Sequence, residues 1–592
     1  MDTAEATAAV EPDRSWTPPP GWPAMRNERI REILCAPSER FEMDIVQIGG
    51  VATRIWKNAP PTLRSIAAVA RSHGGRLGSI YEDERTSYDA WHRAVAALAY
   101  DLKDRGVVKG DRVALEMRNL PEWSVCFFAA TVIGAICVPL NAWWTGGELA
   151  FGLSNSGAKV LICDAERWER VAAQVAELHA IAHVLVARAS AAPAAPLEAV
   201  IGVTASWPNL PDVDLPEVSL GPDEEATIFY TSGTTGEPKG ALGTHRNLTT
   251  NIFTSAWSAT RAVLRRGETP LVAAPKVSLT VIPLFHVTAC SAGLMGALFA
   301  GHTSIYVRRW DVVKAFEIIE REKVNMTGGV PTIAWQMLEH PDRDKYDLSS
   351  IEAISYGGAP SAPELVRKIR EVFGALPGNG WGMTETMATV TSHSSEDYLN
   401  RPTSCGPPVP VADLKIMDED GRRELPTGEV GELWARGPRV VKGYWGRPEA
   451  TAETFIDGWV RTGDLARLDD EGFCYIVDRA KDMIIRGGEN IYSSEVENVL
   501  YAHPAVTDAA LVGIAHRQLG EQPAADVHLA PGASASEAEL QAWVRERLAA
   551  FKTPVRIIFV AETLSRNANG KILKRELKRL FEDPAAASSG TG

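Results

Sequence analysis

Tyr230-Thr-Ser-Gly-Thr-Thr-Gly-Glu-Pro-Lys-Gly240 is the stretch on which the reading of this 592-residue chain turns. A β-prone apolar run, Ala226 to Tyr230, leads directly into it and predicts a strand that delivers a loop. Thr231, Ser232, Gly233, Thr234, Thr235 and Gly236 form an unbroken run of hydroxyls and glycines. Such a run offers exposed backbone N–H groups and hydroxyl donors, and its glycines let the backbone come close to a ligand. Lys239 adds a fixed positive charge. Together these groups suit a polyphosphate. The GxxxxGK[ST] spacing is absent, so the loop is not a Walker A motif.

Outward from the loop, short apolar runs alternate with helix-like stretches from about residue 60 to 480. Val113–Met117, Val160–Cys163 and Thr227–Tyr230 are examples. The alternation predicts an α/β fold: a large N-terminal domain of layered α/β subdomains with mostly parallel sheets. Near the C-terminus, Ser536-Glu-Ala-Glu539 is a capping box, and Leu540, Trp543, Val544, Leu548 and Phe551 fall on one face of a helix that Pro554 would stop. The last hundred or so residues therefore read as a small α+β unit. The expected division is an N-terminal extension over 1–50, partly disordered and rich in Pro and Ala. A large domain over 51–478, a small C-terminal domain over 479–583 and a floppy tail over 584–592 follow.

Composition removes several function classes. Lys and Arg total 61 against 75 Asp and Glu, a formal net charge of −14, which argues against nonspecific nucleic-acid binding and against a basic membrane-docking face. The seven cysteines (Cys35, Cys126, Cys137, Cys163, Cys290, Cys405 and Cys474) include no CxxC pair and read as reduced thiols of a cytoplasmic protein. The acidic N-terminus has no apolar core segment, which argues against a secretory signal. Val125–Leu140 is uncharged but short for a bilayer, and Val277–Val307 carries Pro283, His286 and His302, so both are expected to be buried core rather than membrane spans. A homo-oligomer is left open.

The loop closely resembles that of the adenylate-forming superfamily, which includes acyl-CoA synthetases, peptide-synthetase adenylation domains and beetle luciferases. Its pattern reads [YF]TSG[ST]TGxPKG, and Thr231 to Gly240 match throughout. The resemblance continues in order over most of the chain, through Ser355-Tyr-Gly-Gly-Ala-Pro360, Asn379-Gly-Trp-Gly-Met-Thr-Glu-Thr386, Gly458-Trp-Val-Arg-Thr-Gly-Asp464, Val477-Asp-Arg-Ala-Lys-Asp482 and Asn567-Ala-Asn-Gly-Lys-Ile572. One such match is unremarkable; six in sequence are not.

The resemblance implies a site. It places ATP against Thr231–Gly236 and Lys239, against Gly357, Gly358 and Ala359, and against Asn379, Gly380, Trp381, Gly382, Met383 and Thr384. Glu385 would hold Mg²⁺, a hard cation suited to a carboxylate beside phosphates. Asp464 would accept both ribose hydroxyls, which a carboxylate can do at once. Arg479 would contact the ribose or phosphate, Lys481 would be the hinge of a mobile C-terminal domain, and Lys571 would be the adenylation lysine. His286 and Gly358 would line the acid pocket, although lone histidines in apolar runs are usually structural. Gly487 and Gly488 would border a tunnel for the CoA arm. Two positions depart from the family: Trp381 stands for a tyrosine, which puts the phenol's hydrogen bond in doubt, and Asp478 stands for a glycine.

The implied activity is ATP-dependent acid–CoA ligation by domain alternation, with ATP, a carboxylic acid and CoA as partners and Mg²⁺ as cofactor. No carrier domain follows Lys571, which favours a diffusible thiol. An amine or a carrier-protein thiol is the alternative acceptor. The small residues after His286 and the Gly328-Gly329-Val330-Pro331 turn lean toward a medium- or long-chain fatty acid, with an aromatic acid next.

Overall fold

The uncharged stretch Val125–Leu140 is where the core begins. In the computed structural model it forms the end of a helix, Pro121–Val132, and a strand, Ile136–Pro139, every residue of both being buried. A helix buried all round has no wet face and must lie between layers, and its one charged residue, Glu122, is paired with Arg188. Phe127 and Phe128 are fully enclosed there, each burial contributing about 2 kcal/mol. No helix among the described residues is long and apolar enough to cross a membrane. The structure describes residues 21–189, 195–231, 237–270, 274–357, 363–530, 532–566 and 572–582.

Two large sheets carry the architecture. The first runs, in spatial order, Gly240–Thr244, Glu225–Tyr230, Ile136–Pro139, Arg112–Glu116, Val160–Asp164, His183–Ala187, Ala195–Pro196. All neighbours are parallel except the first pair. Val160–Asp164 is buried from end to end, the unbroken pattern of a strand covered on both faces. The second sheet runs His393–Ser394, Leu376–Gly380, Ala353–Gly357, Met326–Gly329, Val277–Thr280, Thr303–Tyr306, Leu77–Tyr81, Glu84–Ser87, and is antiparallel only at its two edges. The expected α/β layering with mostly parallel strands is therefore what the chain builds.

Both sheets reverse winding direction at one strand. The strand after Arg112–Glu116 lies on one side of it and the next on the other; Val277–Thr280 is flanked in the same way. Crevices form beyond the C-terminal ends of such strands. Here the two crevices face each other, and Asn119 ties them: its amide nitrogen donates to the Ile282 carbonyl at 3.0 Å and its oxygen accepts from the Leu284 N–H at 2.8 Å. Val277–Val307, the second membrane-like stretch, supplies a strand, a π-helix over Thr288–Leu294, the helix Met295–Ala300 and the strand Thr303–Tyr306.

An antiparallel sheet follows, with Asp413–Met417, Gly431–Arg436, Phe455–Ile456, Trp459–Leu468 and Cys474–Arg479. A last sheet of Ile484–Arg486, Glu489–Ile491, Val506–His516, Gly520–Leu529 and Ile557–Phe559 carries the helices Ser493–Tyr501, Glu537–Arg545 and Lys574–Glu582. Two expected divisions fall inside elements: 50/51 lies in the turn of a hairpin pairing Met43–Ile48 with Val51–Trp56, and 478/479 lies within the strand Cys474–Arg479. The capping box at Ser536 is present. The helix after it is shorter than its apolar spacing predicts, ending at Arg545. Leu548 and Phe551 reach the same core from a turn and a 3-10 turn, because the chain tightens once the Arg547 and Leu548 amides share the Val544 carbonyl.

Asp526 is an oddity of this small sheet. It sits between Ala510 and Ile558 on the neighbouring strands, has no exposed surface, and neither carboxylate oxygen has a hydrogen-bond partner among the described residues. Burial pushes it up to about 7. An acid raised above its unfolded value is stabilising only while protonated, so it costs stability increasingly as pH rises from about 4 to about 7. Asp526→Asn is expected to raise the melting temperature at pH 8 and to flatten its decline between pH 4 and 7. A variant that melts with wild type at pH 8 would show the carboxylate to be compensated.

Candidate active site

The cleft between the two crevices has a volume of about 750 Å³. Thr231, Lys239, His286, Gly357, Gly382, Met383, Thr384, Glu385, Arg479 and Lys481, all singled out from the sequence, line it. Ser232, Gly233, Thr234, Thr235, Gly236, Gly358, Ala359 and Lys571 lie outside the described residues. Asn379, Gly380, Trp381 and Asp464 stand behind the wall rather than in it.

Antiparallel pairing of Glu225–Tyr230 with Gly240–Thr244 holds Thr231 and Lys239 together. The Thr231 N–H donates to the Lys239 carbonyl at 2.9 Å, and the Lys239 N–H donates to Thr231 Oγ1 at 3.3 Å. Gly240 is a packing requirement, since a Cβ there would meet Ile228 Cγ2 at 2.6 Å. On the open edge of this pair lies a segment that sequence reasoning passed over, Val441–Trp445. Its N–H groups donate to the Glu385, Leu242 and Gly240 carbonyls, and it carries Tyr444 into the cleft.

Tyr444 joins two of the expected residues. Its hydroxyl donates to Glu385 Oε1 at 2.7 Å, and Lys239 Nζ sits 4.9 Å from the centre of its ring, a cation–π contact. Glu385 is only 7% exposed, on the 3-10 turn Thr384–Thr386. Burial raises its carboxyl above the usual range; the Tyr444 hydroxyl and the Arg479 and Lys239 charges pull it back toward the ionised form. The same pairing holds the Tyr444 phenol far above its ordinary value, through burial and then the Glu385 charge. Among the described residues no three His, Cys, Asp or Glu cluster as a metal cage. Glu385, one of four glutamates in the cleft wall with Glu237, Glu432 and Glu453, fits Mg²⁺, which binds through one or two carboxylates together with substrate phosphates.

Asp464 and Arg479 face each other across paired strands, with Arg479 Nε 2.5 Å from Asp464 Oδ1. The other carboxylate oxygen accepts the Trp381 indole N–H at 2.7 Å. Replacing the family's tyrosine thus keeps a hydrogen bond at that position and aims it at Asp464. His286 lines the cleft, its Nε2 without a partner among the described residues, and burial alone pushes its imidazole down to about 3, so it is neutral. Around it stand Phe285, Trp143 in edge contact with Phe285 at 6.2 Å, and Arg118, whose guanidinium lies 5.2 Å from the Trp143 ring. Lys481 is exposed, yet partial desolvation lowers its ammonium below the ordinary value.

Gly487 and Gly488 do not line the cleft. They are the two-residue turn between Ile484–Arg486 and Glu489–Ile491, with φ of +61° and +90°. A two-residue hairpin with both φ positive explains the pair without a ligand. Gly328 likewise serves the sheet, since a Cβ would lie 1.7 Å from the Ser355 carbonyl oxygen; only Val330 and Ile333 of that turn region reach the cleft. The Asp478 carboxylate, replacing the family's glycine, accepts the Ser493 N–H at the start of the helix Ser493–Tyr501, and burial raises it to about 6.

A family model described as AMP-binding enzyme matches residues 66–445, and one described as AMP-binding enzyme C-terminal domain matches 495–571. The chain belongs to the AMP-binding enzyme family. It is 37% identical over 514 residues to a feruloyl-CoA synthase of Amycolatopsis, covering 87% of this chain and 96% of that one. It is 36% identical over 502 residues to a long-chain-fatty-acid–CoA ligase of Mycobacterium tuberculosis, covering 84% and 94%. The solved structure of ATP-bound MatB from Rhodopseudomonas palustris superposes with a TM-score of 0.75 at 28% identity, covering 88% and 99%. This family member is an AMP-forming acid–thiol ligase, of a family that works with ATP, Mg²⁺ and CoA.

Tyr444→Phe removes the one side-chain donor that the described residues offer Glu385. It is expected to cost about 1.5–3 kcal/mol, the usual worth of a hydrogen bond to a charged group, read as a lower urea midpoint at unchanged slope. An unchanged midpoint would mean that the bond is not made.

Proposed function

We propose that the protein joins a hydrophobic carboxylic acid to CoA through an acyl-adenylate. The observation that carries this is the convergence of Lys239, Glu385, Arg479 and the Tyr444 bridge on one cleft that also holds an apolar, aromatic-rimmed end. The barrier to be lowered is charge repulsion. A carboxylate oxygen attacks the α-phosphorus of ATP, the bond from that phosphorus to the bridging oxygen breaks, and pyrophosphate leaves. Lys239 and Arg479 offset the charge developing on the phosphates, with Lys571 as the adenylation lysine. Asp464 accepts the ribose hydroxyls. Glu385 would hold Mg²⁺, which when bound supplies charge neutralisation at the phosphates. In the second step the CoA thiol, its proton lost, attacks the acyl carbonyl; the carbon–oxygen bond to phosphate breaks and AMP leaves. No protein nucleophile takes part.

Rotation of the C-terminal unit about Lys481 would exchange the two steps. The division into a large domain and a small one near residue 480 fits the change of sheet between Cys474–Arg479 and Ile484–Arg486. Gly487 and Gly488 stay as candidates for the CoA side only as a turn brought up by that rotation. A cytoplasmic setting fits the free thiols and the supply of ATP and CoA.

For the acid, the ring pair Trp143–Phe285, Trp310, Val281 and Ile333 favour a planar aromatic acid of the cinnamate kind. A medium- or long-chain fatty acid is the second reading, supported by the mycobacterial relative. His286, neutral and unpartnered among the described residues, would offer the acid a hydrogen bond. Pyrophosphate release is expected to be fastest with a substituted cinnamate, lower with octanoate and palmitate, and least with acetate; acetate in first place would overturn the pocket reading. AMP formation should require both acid and CoA at steady state. Lys571→Ala is expected to abolish acid-dependent ATP–pyrophosphate exchange while sparing thioester formation from supplied acyl-adenylate. Equal loss of both half-reactions would refute the alternation.

A further inference from the structure

Hydrogen bonds span Lys481 from three consecutive residues of the strand Cys474–Arg479. The Arg479 carbonyl accepts the Asp482 and Met483 N–H groups at 2.9 and 3.1 Å. The Val477 carbonyl accepts the Ser494 hydroxyl, and the Asp478 carboxylate accepts the Ser493 N–H. The Arg479 bonds are backbone alone and close a turn that other sequences could make. The Asp478 bond is different, because the glycine expected at this position has no side-chain acceptor to offer. Its second oxygen is committed as well: Oδ1 accepts the Arg479 N–H at 2.7 Å.

Lys574, at the start of the last helix, is the charge that faces this carboxylate. Burial raises the Asp478 carboxyl, and the Lys574 ammonium is the strongest pull against that rise. Burial lowers the Lys574 ammonium in turn, and the Glu497 and Asp478 charges more than restore it. Lys574 Nζ lies 2.8 Å from Glu497 Oε1, an oxygen that also accepts the Leu511 N–H at 2.8 Å. One ammonium thus serves an acid inside the C-terminal unit and an acid on the strand that precedes it. The apolar cores of that unit draw on residues from Ile484 onward and share none with the large domain. Asp478 and its two partners lie on opposite sides of Lys481 in the chain, so turning the unit about Lys481 pulls them apart.

We propose that Asp478, through the Ser493 N–H and Lys574, is a latch that holds the C-terminal unit in the orientation seen, with the Gly487–Gly488 turn away from the cleft, and so favours adenylation over thioester formation. This rests on the reading of Lys481 as the hinge of alternation. Asp478 is a positioning residue: it acts on the orientation of the unit and touches no reacting atom.

Asp478→Ala opens the latch from the strand side and Lys574→Met from the other, so the test stands if one of them does not fold. Two quantities are read on the full chain. Trypsin cleavage at Arg479 and Lys481 is expected to be about tenfold faster in either variant, the scale of one hydrogen bond to a charged group. The ratio of acid-dependent ATP–pyrophosphate exchange to thioester formation from supplied acyl-adenylate is expected to fall about tenfold on the same scale. That ratio is internal to each preparation, so partial misfolding does not move it. Lys574→Arg keeps the charge and is expected to hold both quantities near wild type. Unchanged cleavage, or equal loss of both half-reactions, would overturn the proposal and leave Asp478 a cap of the helix Ser493–Tyr501. Lys571→Ala separates the two layers. If it impairs both half-reactions equally, the alternation reading fails and the latch's preference with it. If it separates them while the latch variants leave the ratio unchanged, only the latch fails.

Discussion

A carboxylate taken out of water needs donors and cations in place of its hydration, and Glu385 is where this structure gathers them. Desolvation alone would neutralise it. The Tyr444 hydroxyl and the Arg479 and Lys239 charges oppose that, and each comes from a different part of the fold. Tyr444 arrives on the segment laid along the edge of the first sheet, Arg479 on the antiparallel sheet, and Lys239 beside the strand Gly240–Thr244. The groups that oppose the desolvation of Glu385 thus come together only when three layers are correctly assembled. Folding and the polarity of the site depend on the same contacts.

The position of the cleft follows from topology. Two parallel sheets each reverse direction at one strand, and the open ends of those strands point at a common space. Asn119 fixes their spacing by bonding across from one sheet's loop to the other's. Groups suited to phosphates, Lys239, Glu385 and Arg479, share the lining with apolar and aromatic side chains such as Val281, Phe285 and Ile333, and with Arg118, Arg308 and Arg309. An acid whose carboxylate must meet the α-phosphorus is served by that mixture, since its tail and its head want opposite surroundings.

Much of this was legible in the residues. The hydroxyl–glycine run, the lysine after it and the acids at 385 and 464 announce their chemistry by type and local order, and the strand leading into the loop is plain from β-prone residues. What escaped depends on contacts distant in sequence. Tyr444 meets Glu385 across 59 positions, and nothing local marks it. Trp381 looked like the loss of a donor until Asp464, 83 positions away, was found opposite its indole. The glycines at 487 and 488 carried two readings, small size or positive φ, and the hairpin register explains them by the second. The apolar spacing after Ser536 was real, yet it outlasted the helix because a turn can present the same core face.

The central claim is that the acid's oxygen bonds to the α-phosphorus. The most direct measurement uses carboxylate labelled with ¹⁸O in a complete reaction with ATP and CoA, followed by mass analysis of the nucleotide and phosphate products. One labelled oxygen should appear in AMP and none in pyrophosphate. Label in inorganic phosphate alongside ADP, or AMP free of label, would mean that no acyl-adenylate forms and would contradict the account.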